Sequence, residues 1–113
     1  MEQTRQQKIV RLLQKDLGNL FIQYAKKNMP GTLISVSEVR ISPDLSIAHV
    51  YLSIYPTANQ QSTFAKISDD TSKIRGEIGT MERNQLRIIP ELNFHIDETI
   101  DKMERIDQLL AKG

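Results

Sequence analysis

Apolar residues recur along the opening part of the chain at Ile9, Leu13, Leu17, Leu20, Phe21 and Tyr24, and at about 100° per residue these fall on one stripe of a helix. The first element is therefore predicted as an amphipathic helix running from about Lys8. The opposite side carries Lys8, Arg11 and Lys15, followed by Asn19, and must face solvent or a partner. A solvated helix face accounts for that pattern without any partner. The helix should end in "KKNMPG", where Asn28, Pro30 and Gly31 break it and two lysines occupy a last turn whose dipole favours positive charge.

The pattern then changes period. In "TLISVSEVRI" the inward positions Ile34 and Val36 are followed by Val39 and Ile41, so alternation slips by one residue around Ser37 and Glu38, and a bulge is predicted there. "SPDLS" is rich in turn formers, with Pro43 suited to the second turn position. "IAHVYLSIY" alternates without interruption: Ala48, Val50, Leu52 and Ile54 point one way, and His49, Tyr51, Ser53 and Tyr55 the other. A strand, a turn and a strand result.

After Pro56 a helical stretch places Phe64, Ile67, Ile74, Ile78 and Met81 on one stripe, with Thr71 filling the missing step. Ser68, Asp69 and Asp70 are helix-start residues lodged in its middle, which predicts two helices or a kinked one, the second capped near Asp69 or Asp70. "LRIIPELNFHID" returns to strand alternation, with Leu92, Phe94 and Ile96 inward, and Pro90 fits a strand entrance. A last helix, residues 99–112, would bury Ile100, Met103, Ile106 and Leu110. The order is α-β-β-α-(kink)-α-β plus a C-terminal helix. For an α+β chain of this kind, a three-stranded sheet with the helices on one face is the natural two-layer solution.

The 113 residues fit one domain spanning residues 1–113, large enough for a modest core without disulfides or metal. The absence of Cys removes disulfide frameworks, zinc ribbons and thiol nucleophiles, and fits a reducing compartment. The opening residues are too charged for a signal peptide, and no apolar run approaches the ~18 residues of a membrane span. A soluble, cytoplasmic protein is expected, with no membrane partner. Net charge is only +1, which by itself points to no polyanion. Its distribution is more informative: residues 1–27 hold six basic and two acidic residues, whereas residues 92–113 hold three basic and five acidic. The N-terminal helix should be the positive end of an electrically polar molecule.

Groups for catalysis are scarce. His49 and His95 fall on outward strand positions with no carboxylate at ligand spacing, so exposed sheet residues explain them better than a metal or catalytic site. The pairs Asp69/Asp70 and Asp97/Glu98 precede helical segments, where capping accounts for them. No nucleotide-binding glycine motif or Walker sequence appears. "GEIG", Gly76 to Gly79, matches the GxxG loop with which KH modules clamp nucleic acid. Ile78 belongs to the apolar stripe, however, and Glu77 would bring negative charge toward phosphates, so the glycines read as small residues inside a helix that allow close packing.

"EVRISPDLSIAHVYLSI", "KIRGEIG" and "LRIIPELNFHIDETI", with the opening "RQQKIVRLLQKDLGNL", together resemble ribosome-binding factor A, a bacterial small-subunit assembly protein. The resemblance covers nearly the whole chain, and the S-P-D-L-S turn and the R-x-x-P-E-L-x-F strand entrance are jointly specific. It implies a type II KH-like domain whose GxxG loop is replaced by an interhelical kink, commonly Ala-x-Gly. It also implies a non-enzymatic ribosome biogenesis factor that binds the free or immature small ribosomal subunit and its rRNA near the decoding region. Such factors promote late small-subunit maturation, including rRNA 5′-end processing, and serve cold adaptation. At the kink position this chain has Asp70, Thr71 and Ser72, and its link into the third strand is slightly longer than usual.

The resemblance gives the basic residues a use. Arg5, Lys8, Arg11 and Lys15, with Lys73, Arg75, Arg83 and Arg87, are the candidates for RNA binding, positioning phosphates without reading sequence. Arg40 and Arg87 flank sheet entrances and fit either that surface or pairing with Glu38 and Glu91. Recognition by stacking on Tyr51 and Tyr55 lacks the accompanying basic-aromatic signature. No catalytic residue, metal, cofactor or small-molecule substrate is expected, and the protein is expected to be a monomer. The alternative reading is a protein-interaction or dimerisation module using the exposed sheet face.

Overall fold

The computed structural model describes residues 5–82 and 89–97. Helix α1 spans Arg5–Asn28, strand β1 Leu33–Ile41 and strand β2 Ile47–Tyr55; a short 3-10 turn, Thr57–Asn59, leads into helix α2, Gln60–Asp69, helix α3, Thr71–Glu82, and strand β3, Glu91–Ile96. The strands form one sheet in the order β1-β2-β3. β1 and β2 pair antiparallel from Leu33↔Tyr55 to Ile41↔Ala48, and β2 and β3 pair parallel from Ile47↔Glu91 to Leu52↔Ile96. This is the type II KH-like arrangement expected. The expected C-terminal helix, residues 99–112, lies outside the described residues, as do Arg83 and Arg87.

Alternation decides which face of the sheet is covered. Ala48, Val50, Leu52 and Ile54 of β2 are all buried, and they meet Ile34 and Val39 from β1 and Leu92 and Phe94 from β3. On this face lie Ile9, Leu13, Leu17, Leu20 and Phe21 of α1, with Ile67, Ile74 and Ile78 of α2 and α3 completing the core. Phe21 joins the layers, meeting Phe94 edge to face at 5.7 Å between ring centroids. The register of β1 against β2 slips between Val36 and Glu38, so the predicted bulge is present, and it returns Val39 to the covered face.

The hairpin turn is held by one carboxylate. Asp44 Oδ1 accepts hydrogen bonds from the Ser42 hydroxyl at 2.7 Å, the Ser46 hydroxyl at 2.7 Å and the Ser46 N–H at 3.1 Å. Those bonds, the Ser46 hydroxyl first, hold the Asp44 carboxyl down at about 2. Leu45 sits at φ 64, a left-handed conformation the local pattern did not announce.

Two packing expectations are corrected. Met81 is 49% exposed rather than in the core, because the apolar stripe of α3 is completed by Ile74 and Ile78 alone. "GEIG" does lie inside α3, but a Cβ on Gly76 would meet nothing within 4 Å, and one on Gly79 would make only an ordinary contact with Ile89 at 3.7 Å. Close approach is therefore not what these glycines provide.

Candidate nucleic-acid interface

Because the apolar stripe of α1 is pressed onto the sheet, its opposite side is forced outward. Arg5, Lys8, Arg11 and Lys15 are all exposed there. Lys8 and Lys15 form no ion pair with another described residue, while Arg11 keeps an interaction within the protein. Arg5, Lys8, Arg11 and Lys15 together give this side of α1 a positive potential, an arrangement suited to phosphate.

The break between α2 and α3 falls on Asp70, whose φ of −92 and ψ of 7 leave the helical region. The Thr71 hydroxyl donates to the carbonyls of Ile67 at 3.2 Å and Ser68 at 2.9 Å, satisfying groups that the interrupted helix frees. The Asp70 carboxylate reaches α1: its Oδ2 accepts from the Tyr24 hydroxyl at 2.7 Å and lies 3.2 Å from Lys66 Nζ. These contacts, the Tyr24 hydrogen bond first, lower the Asp70 carboxyl below its ordinary range, while burial and the Asp70 charge push Tyr24 far up. The break is thereby fastened to the helix that carries the basic face. Ser72 is exposed beside it, and so is Lys73 on the first turn of α3.

Arg75 has a different setting. Its Nε donates to the Pro90 carbonyl at 3.1 Å and its Nη2 to the Ile89 carbonyl at 2.6 Å, tying α3 to the segment that enters β3. Position along the sequence gave no sign of this bond, since the partners are backbone atoms of a later loop. Arg40 pairs with Glu38 at 3.1 Å, both side chains at least half exposed, so the pair contributes little to stability.

On the uncovered face of the sheet, His49 Nδ1 and His95 Nε2 lie 3.0 Å apart. His95 stacks on Tyr51 with centroids 5.0 Å apart and planes at 23°, and the Arg40 guanidinium lies 5.6 Å from the Tyr51 centroid. Tyr51 and His95 turn ring faces toward each other, which leaves no room for a base between those two rings, whereas His49 meets His95 through its ring nitrogen. Among the described residues no group of three or more His, Cys, Asp or Glu is placed to hold a metal ion. No helix among them is long and apolar enough to cross a membrane.

Comparison with known proteins adds the decisive observation: the family model for ribosome-binding factor A matches residues 5–110. The chain belongs to the ribosome-binding factor A family. The ribosome-binding factor A of Cytophaga hutchinsonii is 37% identical over 112 residues, covering 99% of this chain and 84% of the relative. That of Flavobacterium johnsoniae is 41% identical over 112 residues, covering 98% and 86%. Among solved structures, the crystal structure of ribosome-binding factor A from Thermus thermophilus superposes with a TM-score of 0.65 at 20% identity, over 82% of this chain and 97% of that one. A model of the Thermus thermophilus factor fitted into a cryo-EM map of a complex with the 30S subunit gives a TM-score of 0.56 at 20% identity, over 76% and 92%. These likenesses establish the fold independently of sequence similarity.

Proposed function

We propose that this protein is a non-enzymatic ribosome biogenesis factor that binds the free or immature small ribosomal subunit and its rRNA in the cytoplasm. It acts as a monomer and promotes late small-subunit maturation, including rRNA 5′-end processing and growth in the cold. The observation that carries the reading is the exposed basic side of α1 on a chain of this family. The supporting comparison is the complex described for the Thermus thermophilus factor.

The mechanism is attachment. Sheet and core fix α1 so that Arg5, Lys8 and Lys15 meet phosphates together, and the ordering cost is met when the protein folds rather than when it binds. Lys73 extends the surface across the break at Asp70, Thr71 and Ser72, which takes the place of the family's kink. Arg11, Arg75, Arg83 and Arg87 complete the candidate set, with Arg75 first serving the entry to β3. Contacts of this type position the factor on rRNA and make its affinity strongly salt-dependent.

The test is cosedimentation of the purified protein with free small subunits, free large subunits and assembled ribosomes at low and moderate salt. Salt-sensitive retention on free small subunits alone is expected. Absence from all three, with the protein folded, would overturn the proposal.

A further inference from the structure

Beside the basic side of α1, a groove of about 390 Å³ opens between α1 and α3. Leu20 and Ile74 form its floor and Met81 a flexible wall. Asn19 and Gln23 present side-chain amides to it, Lys27 and Lys73 stand at the rim, and Glu77 is the one acidic residue lining it. The two remaining lining side chains are already occupied: the Tyr24 hydroxyl donates to Asp70, and the Asn28 amide donates to the Tyr24 carbonyl at 3.0 Å. By contrast, the side chains of Asn19, Gln23, Lys27 and Glu77 form no hydrogen bond or ion pair with another described residue. The Lys73 charge is felt by Asp70 but is not paired with it.

The groove is also continuous with the basic face. Lys15, Asn19, Gln23 and Lys27 follow one another at four-residue steps, so their side chains succeed each other about 6 Å apart along the edge of α1. A strand of RNA whose phosphates lie on Lys8 and Lys15 is thereby led to the groove mouth. The chemistry there is an apolar slot with a thioether wall, two amides that can both donate and accept, one carboxylate and two ammonium groups outside.

We propose that this groove between α1 and α3 receives a single unpaired nucleobase of the bound RNA. The base lies on Leu20 and Ile74 against Met81, its polar edge faces the Asn19 and Gln23 amides, and Lys27 and Lys73 hold the flanking phosphates. Net positive charge at the rim favours this occupant over an apolar peptide side chain, which would leave both ammonium groups unused. Glu77 can accept from a base N–H, either an exocyclic amino group or the ring N3–H of uracil. The inference rests on the RNA-binding reading above and adds to it a place where a base, rather than the backbone, is held.

The test begins with methyl-resolved NMR of the full chain, titrated separately with each nucleoside 5′-monophosphate, with ribose 5-phosphate and with inorganic phosphate. Saturable shifts at Leu20, Ile74 and Met81 with the nucleotides, absent with ribose 5-phosphate, are expected. Equal response to ribose 5-phosphate or phosphate would reduce the groove to an anion site and overturn the base. Gln23→Trp, on an exposed position, fills the slot with an indole; it should abolish the shifts and lower affinity for small subunits about tenfold, the scale of one stacked base. Lys73→Ala should weaken nucleotide binding without unfolding the protein. If wild type and Gln23→Trp are retained equally on small subunits, the groove proposal fails and the assembly-factor reading stands. If neither is retained, that reading fails, while the nucleotide titration still decides the groove. A photo-crosslinker at position 23 separates the occupants: adducts to rRNA support the proposal, and adducts to a ribosomal protein overturn it.

Discussion

Truncating Phe21 tests whether α1 is seated on the sheet as described, because its ring is fully buried and bridges two layers. It packs edge to face on Tyr24 at 5.9 Å and on Phe94 at 5.7 Å. Removing a buried Phe side chain costs about 3–5 kcal/mol through lost transfer energy and the cavity left behind. Phe21→Leu keeps most of the volume and loses chiefly the two ring pairs, each worth about 0.5–1.5 kcal/mol, so its expected cost is about 1–3 kcal/mol. Against a total stability of about 5–15 kcal/mol, the Ala variant lies near the limit of folding and the Leu variant remains measurable. In urea, with a slope of about 1.5 kcal/mol per molar, Phe21→Leu should lower the midpoint by about 0.7–2 M without changing the slope. Lys8→Ala, on the exposed side of the same helix, should stay within about 0.5 kcal/mol of wild type. A Phe21→Leu midpoint indistinguishable from wild type would refute the seating of α1, and with it the placement of the basic face.

Arg75→Ala removes the two bonds to Ile89 and Pro90 and should lower stability by about 1 kcal/mol, measured by urea unfolding. Its effect on subunit affinity should be smaller than that of Lys8→Glu, and the reverse ranking would return Arg75 to the contact surface. Asp44 gives the pH prediction. A carboxyl depressed from 3.8 to about 2 stabilises the fold above its unfolded value, and that contribution is lost as pH falls through the interval between them. Asp44→Asn should therefore flatten the stability profile across this interval, and an unchanged acid limb in thermal melts would contradict the turn geometry.

Much of this architecture was legible because burial on one face writes a period into the chain. The uninterrupted alternation of β2 marked its covered residues one by one, and the slip at Ser37 and Glu38 marked the bulge, since Val39 could return to the core in no other way. The stripe of α1 was equally clear, and with it the basic side. What stayed hidden depends on contacts between distant segments. Nothing local links Tyr24 to Asp70, or Arg75 to the Ile89 and Pro90 carbonyls. Met81 satisfies the helical period yet is half exposed, with no buried neighbour layer above it among the described residues, so periodicity alone assigned it to the core. The groove between α1 and α3 escaped for the same reason: Gln23 and Lys27 sit on the border of the stripe, where a wheel predicts neither burial nor exposure. The histidine pair shows the opposite case, since two outward positions on neighbouring strands can meet only once the register is known.

The central claim is that the exposed basic side of α1 holds RNA phosphates, and the salt dependence of small-subunit affinity tests it most directly. Wild type and the Lys8→Glu/Lys15→Glu double variant should be compared across a series of salt concentrations. Loss of two phosphate contacts should make the slope of log affinity against log salt shallower by about 1.4–1.8, with weaker binding at low salt. An unchanged slope and unchanged affinity, in a variant that melts like wild type, would mean that another surface of the protein meets the ribosome.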